Sequence, residues 1–116
     1  MHELGVTRDI ARIVVQRAQE GGAKRVVGVH LVVGRMRNLE EQWVQRYFTR
    51  CARGTIAEGA GIHIEYVPIA FYCRSCGETF TLDVHKDERM RCPCCQGNDF
   101  SMVCGGELLI KNIEIE

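Results

Sequence analysis

The sequence lacks long apolar runs, and this absence limits what kind of protein it can be. No apolar stretch approaches the roughly 18 residues that suggest a membrane-spanning helix. The residues from Met1 to Gly5 show neither the basic stretch nor the apolar stretch of a secretory signal peptide. We therefore expect a cytoplasmic protein with no attachment to a membrane.

The sequence also lacks an excess of charge. Its 15 basic and 15 acidic residues cancel, whereas proteins that bind nucleic acid rely on a basic surface that displaces counterions. The segment 71–104 is slightly acidic, with Arg74, Lys86, Arg89 and Arg91 against Glu78, Asp83, Asp87, Glu88 and Asp99. We therefore expect no nucleic-acid partner.

A third absence is that of a linker. The chain has 116 residues, 2 prolines, no Pro- or Ser-rich stretch and no internal repeat, so it suits one domain or two very small ones. Two lobes would be joined by short hinges, for which Ala70 and the pair Gly105-Gly106 are candidates. Short hinges and edge strands permit domain swapping, so a monomer and a homodimer both stay open.

The most informative residues that are present are four cysteines in two pairs. Two residues separate Cys73 from Cys76, and two separate Cys92 from Cys95. Two such pairs at this separation match a zinc site with four thiolate ligands, in which each pair forms a tight turn that presents two sulfurs to one tetrahedral ion. Two disulfides are the alternative, but the regular pairing and the lack of a secretory signature favour a metal.

Three of the 7 cysteines remain after this assignment. Cys94 has one residue fewer between itself and Cys92 than a usual ligand pair, and this spacing brings two sulfurs to one metal less readily. Cys94 and Cys104 are therefore only alternative ligands. Cys51 lies among apolar residues of a predicted helix, which indicates a place in the core.

Two histidines inside the chain are not assigned as ligands. His30 lies in a predicted strand, where we expect it to be half-buried and hydrogen-bonded. His85 lies within the cysteine segment but next to neither cysteine pair, and we expect it in a solvated loop.

Apolar periodicity predicts two amphipathic helices. The first covers 4–20, and its buried stripe comprises Thr7, Ile10, Ala11, Val14 and Ala18. The second begins at Asn38 as the N-cap, with Glu41 completing a capping box, and ends near Arg53. Its predicted buried stripe comprises Trp43, Val44, Tyr47, Phe48 and Cys51.

Three β-rich stretches, 25–33, 62–70 and 107–116, predict strands, the first of them central because both of its faces are mostly apolar. The fold class that follows is α+β: two helices packed on a three-stranded sheet, with an inserted tetracysteine zinc-ribbon-like lobe. The predicted divisions are an α/β lobe at 1–70, a zinc lobe at 71–104 and a final strand at 105–116. A lobe of about 35 residues needs the free energy of metal binding to fold.

The first three residues, Met1, His2 and Glu3, offer a second and different ligand set. The α-amine of Met1, the imidazole of His2 and the peptide nitrogen between them can occupy three corners of a square, a geometry that suits Ni(II) or Cu(II). The fourth corner is open to Glu3, water or a partner. Because histidine is large, we expect the initiating methionine to stay in place. Taken alone, the tripeptide is a weak signal, since a frayed terminus is the ordinary state.

The chain starts with Met-His-Glu-Leu, contains the C-x2-C…C-P-x-C spacing and closes with Gly-Glu-Leu-Leu-Ile-Lys-Asn-Ile-Glu-Ile. Together with the first helix, these features give the chain a resemblance to the hydrogenase-maturation nickel chaperone family, which comprises HypA and its paralogue HybF. The resemblance covers essentially the whole chain, although Gly5 stands where the family often has serine. The resemblance implies an α/β lobe for nickel with an inserted zinc lobe, in agreement with the fold predicted from the pattern.

The same resemblance implies a nickel metallochaperone and not an enzyme. By resemblance, Ni(II) is the transported ion and is bound by Met1, His2 and Glu3, whereas structural Zn(II) is bound by Cys73, Cys76, Cys92 and Cys95. The partners that the resemblance implies are a hydrogenase maturation GTPase and the precursor of the [NiFe]-hydrogenase large subunit. Some relatives also serve urease, so urease accessory proteins are further expected partners.

Overall fold

The computed structural model of the protein describes residues 2–86 and 90–116, and His2 by its backbone alone. Its elements, in chain order, are α1 (His2–Glu20), β1 (Val26–Gly34), a 3-10 turn (Arg35–Arg37), α2 (Glu41–Cys51), β2 (Gly61–Val67), β3 (Ala70–Cys73), β4 (Thr79–Thr81), β5 (Phe100–Cys104) and β6 (Leu108–Ile115). Among the helices of the described residues, none is long and apolar enough to cross a membrane.

The chain folds into two compact units. The first contains residues 1–32, 39–65 and 109–116, and the second contains residues 33–38 and 66–108. The second unit thus holds the whole cysteine segment together with a short turn from an earlier part of the chain.

The three long strands form one sheet in the order β2-β1-β6. Backbone hydrogen bonds join Arg25 to Glu116 near one end of β1 and Gly34 to Glu107 near the other, so β1 and β6 run antiparallel. The predicted central place of β1 is confirmed. On one of its faces Val29, Leu31 and Val33 are at most 1% exposed, whereas Val27 at the start of the strand is 37% exposed. The fold class is therefore the predicted one: two helices with a three-stranded sheet, and a separate cysteine lobe.

Helix α1 buries the predicted stripe. Thr7, Ile10, Ala11, Val14 and Ala18 are each at most 6% exposed, because residues three and four apart share one face of a helix. Gly22 follows the helix with a φ of 72°, a left-handed conformation that glycine adopts without steric cost.

The predicted start of α2 is wrong. The helix begins after Glu40, whose side chain makes no capping bond, and the Glu41 carboxylate accepts a hydrogen bond from the backbone N–H of Ile64 instead. Asn38 ends the preceding 3-10 turn in the left-handed region, with a φ of 53°. Asparagine favours both helix N-caps and isolated left-handed positions, and here the second preference prevails.

The predicted buried stripe of α2 is only partly right. Val44 and Phe48 are 1% and 0% exposed, but Trp43 is 38% exposed. The Arg46 guanidinium lies 4.9 Å from the centre of the indole ring, so this aromatic side chain is covered by a cation and not by the core. Cys51 is half-buried at the end of the helix.

The second unit has a small sheet of its own, in the order β4-β3-β5. Pro68, which has no backbone donor, follows the end of β2. The rings of Phe71, Phe80 and Phe100 meet with centroids 5.2 to 5.7 Å apart, and the buried Cys73 and Cys92 pack in the same cluster. The cysteine cluster and the apolar core of this unit are therefore continuous.

The turn after β1 is held within the second unit by a contact between two glycines. A Cβ on Gly34 would lie 1.9 Å from the carbonyl oxygen of Gly105, so no larger residue fits at position 34 without displacing the backbone. The Nε of Arg37 also donates a hydrogen bond to the carbonyl of Gly106, and the Arg35 guanidinium lies over the Tyr66 ring.

The contrast between Phe48 and Trp43 can be tested by stability measurements. Phe48→Ala should lower the free energy of unfolding by about 3–5 kcal/mol, because it removes a fully buried aromatic ring and leaves a cavity. Trp43→Ala is the matched control and should cost about 1 kcal/mol or less, since its ring is partly exposed. Chemical denaturation followed by circular dichroism would measure both, and equal losses would contradict the described packing.

Candidate metal centre

Four cysteine sulfurs lie close together in the second unit. The Sγ atoms of Cys73 and Cys95 are 3.6 Å apart, as are those of Cys76 and Cys92, and all four lie within 4.8 Å of one another. Four sulfurs at about 2.3 Å from a tetrahedral zinc ion would be roughly 3.8 Å apart. The cluster therefore fits zinc. Its members are the four cysteines that the sequence spacing predicted as ligands. All seven cysteines are free, so the alternative of two disulfides is not what the structure contains.

Each cysteine pair lies on the same type of turn. The carbonyl of Cys73 accepts a hydrogen bond from the N–H of Gly77, and the N–H of Cys73 donates to the carbonyl of Glu78. The second turn repeats both bonds four and five residues after Cys92, with Gln96 and Gly97. The two turns thus hold their cysteine pairs by an identical hydrogen-bond pattern, although their sequences differ.

The repeated turn requires a left-handed residue at its fifth position. Gly77 has a φ of 78° there, and the corresponding Gln96 has a φ of 61°. Glycine adopts this conformation without penalty, whereas a residue with a Cβ pays about 1–2 kcal/mol. The sequence pattern did not predict these supporting residues, although the glycine directly after Cys76 is the signal that could have indicated the first of them.

The four thiols cannot all ionise side by side without a cation. Burial of the Cys92 thiol opposes its ionisation, but the backbone N–H groups of Cys95 and Cys94 bond to its thiolate, and its pKa falls to about 7. The N–H of Glu78 likewise stabilises a thiolate at Cys76, but burial and the hydrogen bond to Cys92 outweigh it, and the pKa of Cys76 rises to about 12. One thiolate therefore forms first and makes the next one harder to form, which a divalent cation would reverse.

The alternative ligands lie outside the cluster. Cys94 is exposed and is not among the four converging sulfurs. Although the residue is exposed, partial desolvation of its thiol and the charge on Cys92 raise the pKa of Cys94. Cys104 donates from its Sγ to the carbonyl of Pro68 at 3.5 Å. The exposed His85 places its Nε2 3.1 Å from the carbonyl of Arg35 and not near the sulfurs.

The predicted nickel ligands are at the start of α1. The helix begins at His2, and Glu3 is the acidic residue of its first turn. Met1 and the side chain of His2 lie outside the described residues. The first four N–H groups of a helix have no acceptor within the helix, so the peptide nitrogen of His2 is not needed for the helical hydrogen bonds.

Comparison with known proteins identifies the family. Residues 1–115 match the family described as "Hydrogenase/urease nickel incorporation, metallochaperone, hypA". The chain belongs to the HypA family. Members of this family are metallochaperones for nickel incorporation during hydrogenase and urease maturation.

Curated relatives and solved structures agree with this membership. The hydrogenase maturation factor HypA of Dehalococcoides mccartyi is 33% identical over 100% of this chain and 95% of its own length. The hydrogenase maturation factor HybF of Salmonella typhimurium is 34% identical over 100% of both chains. The solution structure of the Ni metallochaperone HypA from Helicobacter pylori shares the fold, with a TM-score of 0.64 at 16% identity over 97% of this chain and 96% of its own.

The two turns give a test of the backbone argument. Gly77→Ala should lower the free energy of unfolding of the zinc-loaded protein by about 1 kcal/mol or more, because alanine is strained at a positive φ. Gln96→Gly is the matched change and should be neutral or stabilising for the same reason. Thermal unfolding of both variants would measure the difference, and a stabilising Gly77→Ala would contradict the account.

The thiol pKa values give a test of pH dependence. Zinc binds thiolates, so protons on the cysteines compete with it, and the raised pKa of Cys76 means that zinc must displace a proton at neutral pH. Below pH 7 the Cys92 thiol is protonated as well. The apparent zinc affinity should therefore fall by more than about tenfold per pH unit in acid. Competition with a chromophoric chelator at several pH values would measure it, and a flat profile would contradict a thiolate site.

Proposed function

We propose that this protein is a non-enzymatic carrier of Ni(II) that binds the ion at its amino terminus and delivers it during maturation of [NiFe]-hydrogenase. The observation that carries the proposal is membership of the HypA family over residues 1–115, with Met-His-Glu as the first three residues of the match. The chain spans 95–100% of the length of the curated relatives described above.

The proposed nickel ligands are Met1, His2 and Glu3. The Met1 amine and the His2 imidazole are nitrogen donors, and the peptide nitrogen between them can bind after it loses its proton. Because that nitrogen would have no partner within α1, nickel binding costs no helical hydrogen bond. The positive end of the helix dipole disfavours a cation at this place, and the Glu3 carboxylate offsets part of that repulsion. A site balanced in this way suits an ion that must leave again.

The proposed role of the cysteine cluster is structural. Cys73, Cys76, Cys92 and Cys95 would hold Zn(II) with four thiolates, which leaves no open coordination position for hydrolytic chemistry. The metal would tie the turn after β3 to the turn that precedes β5, so that the second unit keeps its shape. This shape would give partner proteins a fixed surface.

The proposed partners follow from the family and not from a described contact. They are a hydrogenase maturation GTPase and the precursor of the hydrogenase large subunit, with urease accessory proteins as further candidates. The family's hydrogenase and urease nickel-incorporation description supports both targets. We further propose that the protein works in the cytoplasm, as a monomer or a homodimer.

The terminal site can be tested by extending the chain at one end or the other. A Gly-Ser extension before Met1 should weaken Ni(II) binding, because it removes the terminal amine from the chelate. The same extension after Glu116 is the matched control and should leave nickel binding unchanged. Isothermal titration calorimetry would measure binding, and metal analysis should find zinc in both proteins.

Two point variants separate the two proposed metals. His2→Ala should weaken nickel binding and leave zinc in place, whereas Cys76→Ala should release zinc. Equal nickel affinity in the two extended proteins would overturn the terminal site. Zinc retained by Cys76→Ala with unchanged affinity would overturn the four-thiolate assignment.

A further inference from the structure

A second group of metal-binding side chains lies on the long sheet of the first unit, away from the cysteines. It comprises His30 from β1, His63 from β2 and Glu114 from β6, so each strand contributes one residue. The His30 Nε2 is hydrogen-bonded to Oε1 of Glu114, and the His30 and His63 rings stack with centroids 4.7 Å apart. His30 thus has the hydrogen-bond partner that its place in a strand predicted.

These three side chains lie on the side of the sheet opposite the buried core. Strand residues alternate between faces, and the neighbours of His30 in β1, Val29 and Leu31, are at most 1% exposed. The side chains of His30 and Glu114 are 32% and 56% exposed, and His63 is exposed as well. An ion in solution can therefore reach all three.

Two glycines lie directly beneath these side chains. A Cβ on Gly28 would lie 3.3 Å from the carboxylate carbon of Glu114, and a Cβ on Gly61 would lie 3.4 Å from the His63 Nε2. The first distance would shift the carboxylate by a few tenths of an ångström, and the second is close to ordinary van der Waals contact. Glu114 thus lies across β1 over Gly28, and the His63 imidazole lies beside Gly61 of β2.

The surrounding charges favour a cation. Glu65, two residues after His63 on β2, pairs with Lys111 of β6 at 3.7 Å. The positive charge of Lys111 is thus balanced by the Glu65 carboxylate. Glu114 adds a second negative charge to this face. Two imidazoles and a carboxylate are a ligand set that binds first-row divalent metals, with the strongest affinity near Ni(II) and Cu(II).

We propose that His30, His63 and Glu114 form a second binding site for a divalent transition metal ion such as Ni(II). The ion takes the place of the hydrogen bond between His30 and Glu114, and the His63 imidazole completes the set. Within the described residues only the four cysteines bring three or more donor atoms within 4.8 Å of one another, so the His63 ring turns on binding. An exposed side chain changes rotamer at small cost. Three ligands leave positions for water, so the ion exchanges readily. This site does not depend on the proposed function of the amino terminus.

The test uses the zinc-loaded protein with the Gly-Ser extension before Met1, in which the terminal chelate is blocked. Equilibrium dialysis against Ni(II) should find one bound ion per chain. Three substitutions, His30→Gln, His63→Gln and Glu114→Gln, should each weaken this binding by about tenfold or more. Removing the hydrogen-bonding partner of a metal ligand already lowers metal affinity by about tenfold, and removing the ligand itself should lower it at least as much. His85→Gln is the matched control and should leave the binding unchanged.

Nuclear magnetic resonance supplies a second readout on the same protein. Paramagnetic Ni(II) should broaden the imidazole signals of His30 and His63 before that of His85. Circular dichroism of His63→Gln, a change at an exposed residue, checks that the fold is kept. The proposal is overturned if the extended protein takes up no nickel, or if uptake persists unchanged when His30 and His63 are both replaced. A failure of the terminal site is seen separately, as equal binding by the native and extended chains.

Discussion

The structure of the second unit depends most on four cysteine sulfurs that the fold brings within 4.8 Å of one another. Two equivalent turns fix these sulfurs. The pKa of Cys92 falls to about 7 because backbone N–H groups stabilise its thiolate against the effect of burial. The pKa of Cys76 rises to about 12 because burial and the hydrogen bond to Cys92 outweigh the N–H of Glu78. A divalent cation would bond to all four sulfurs in place of their protons. Since Cys73 and Cys92 also belong to the apolar core of the second unit, such a metal and the core would stabilise the same small structure.

The first unit is stabilised in a different way and needs no metal for its core. Helices α1 and α2 and the strand β1 bury apolar side chains such as Val14, Phe48 and Leu31, so the hydrophobic effect dominates there. Under the proposed function, the start of α1 binds the transient ion apart from the cysteine cluster. A carrier that kept its cargo and its structural metal in one cluster would lose its fold on delivery, and the two proposed sites avoid this.

Much of this layout could be predicted from the sequence, because strong local patterns specify it. The apolar pattern predicts the buried stripe of α1 and the central position of β1. The cysteine spacing predicts the cluster of Cys73, Cys76, Cys92 and Cys95. The errors occur where one residue type satisfies two conformations or lies at the border of a face. Asn38 fits both an N-cap and a left-handed turn, and exposed Trp43 adjoins the buried Val44. The contact between His30 and Glu114 joins residues 84 apart in sequence, and no local pattern specifies it.

The central claim is that two metals occupy chemically different sites in one small chain. X-ray absorption spectroscopy of the native protein, loaded with zinc and one equivalent of nickel, tests it most directly because each metal edge reports its own ligands. The account predicts four sulfurs at about 2.3 Å around zinc and only nitrogen and oxygen around nickel. Sulfur in the nickel shell, or fewer than four sulfurs around zinc, would contradict it.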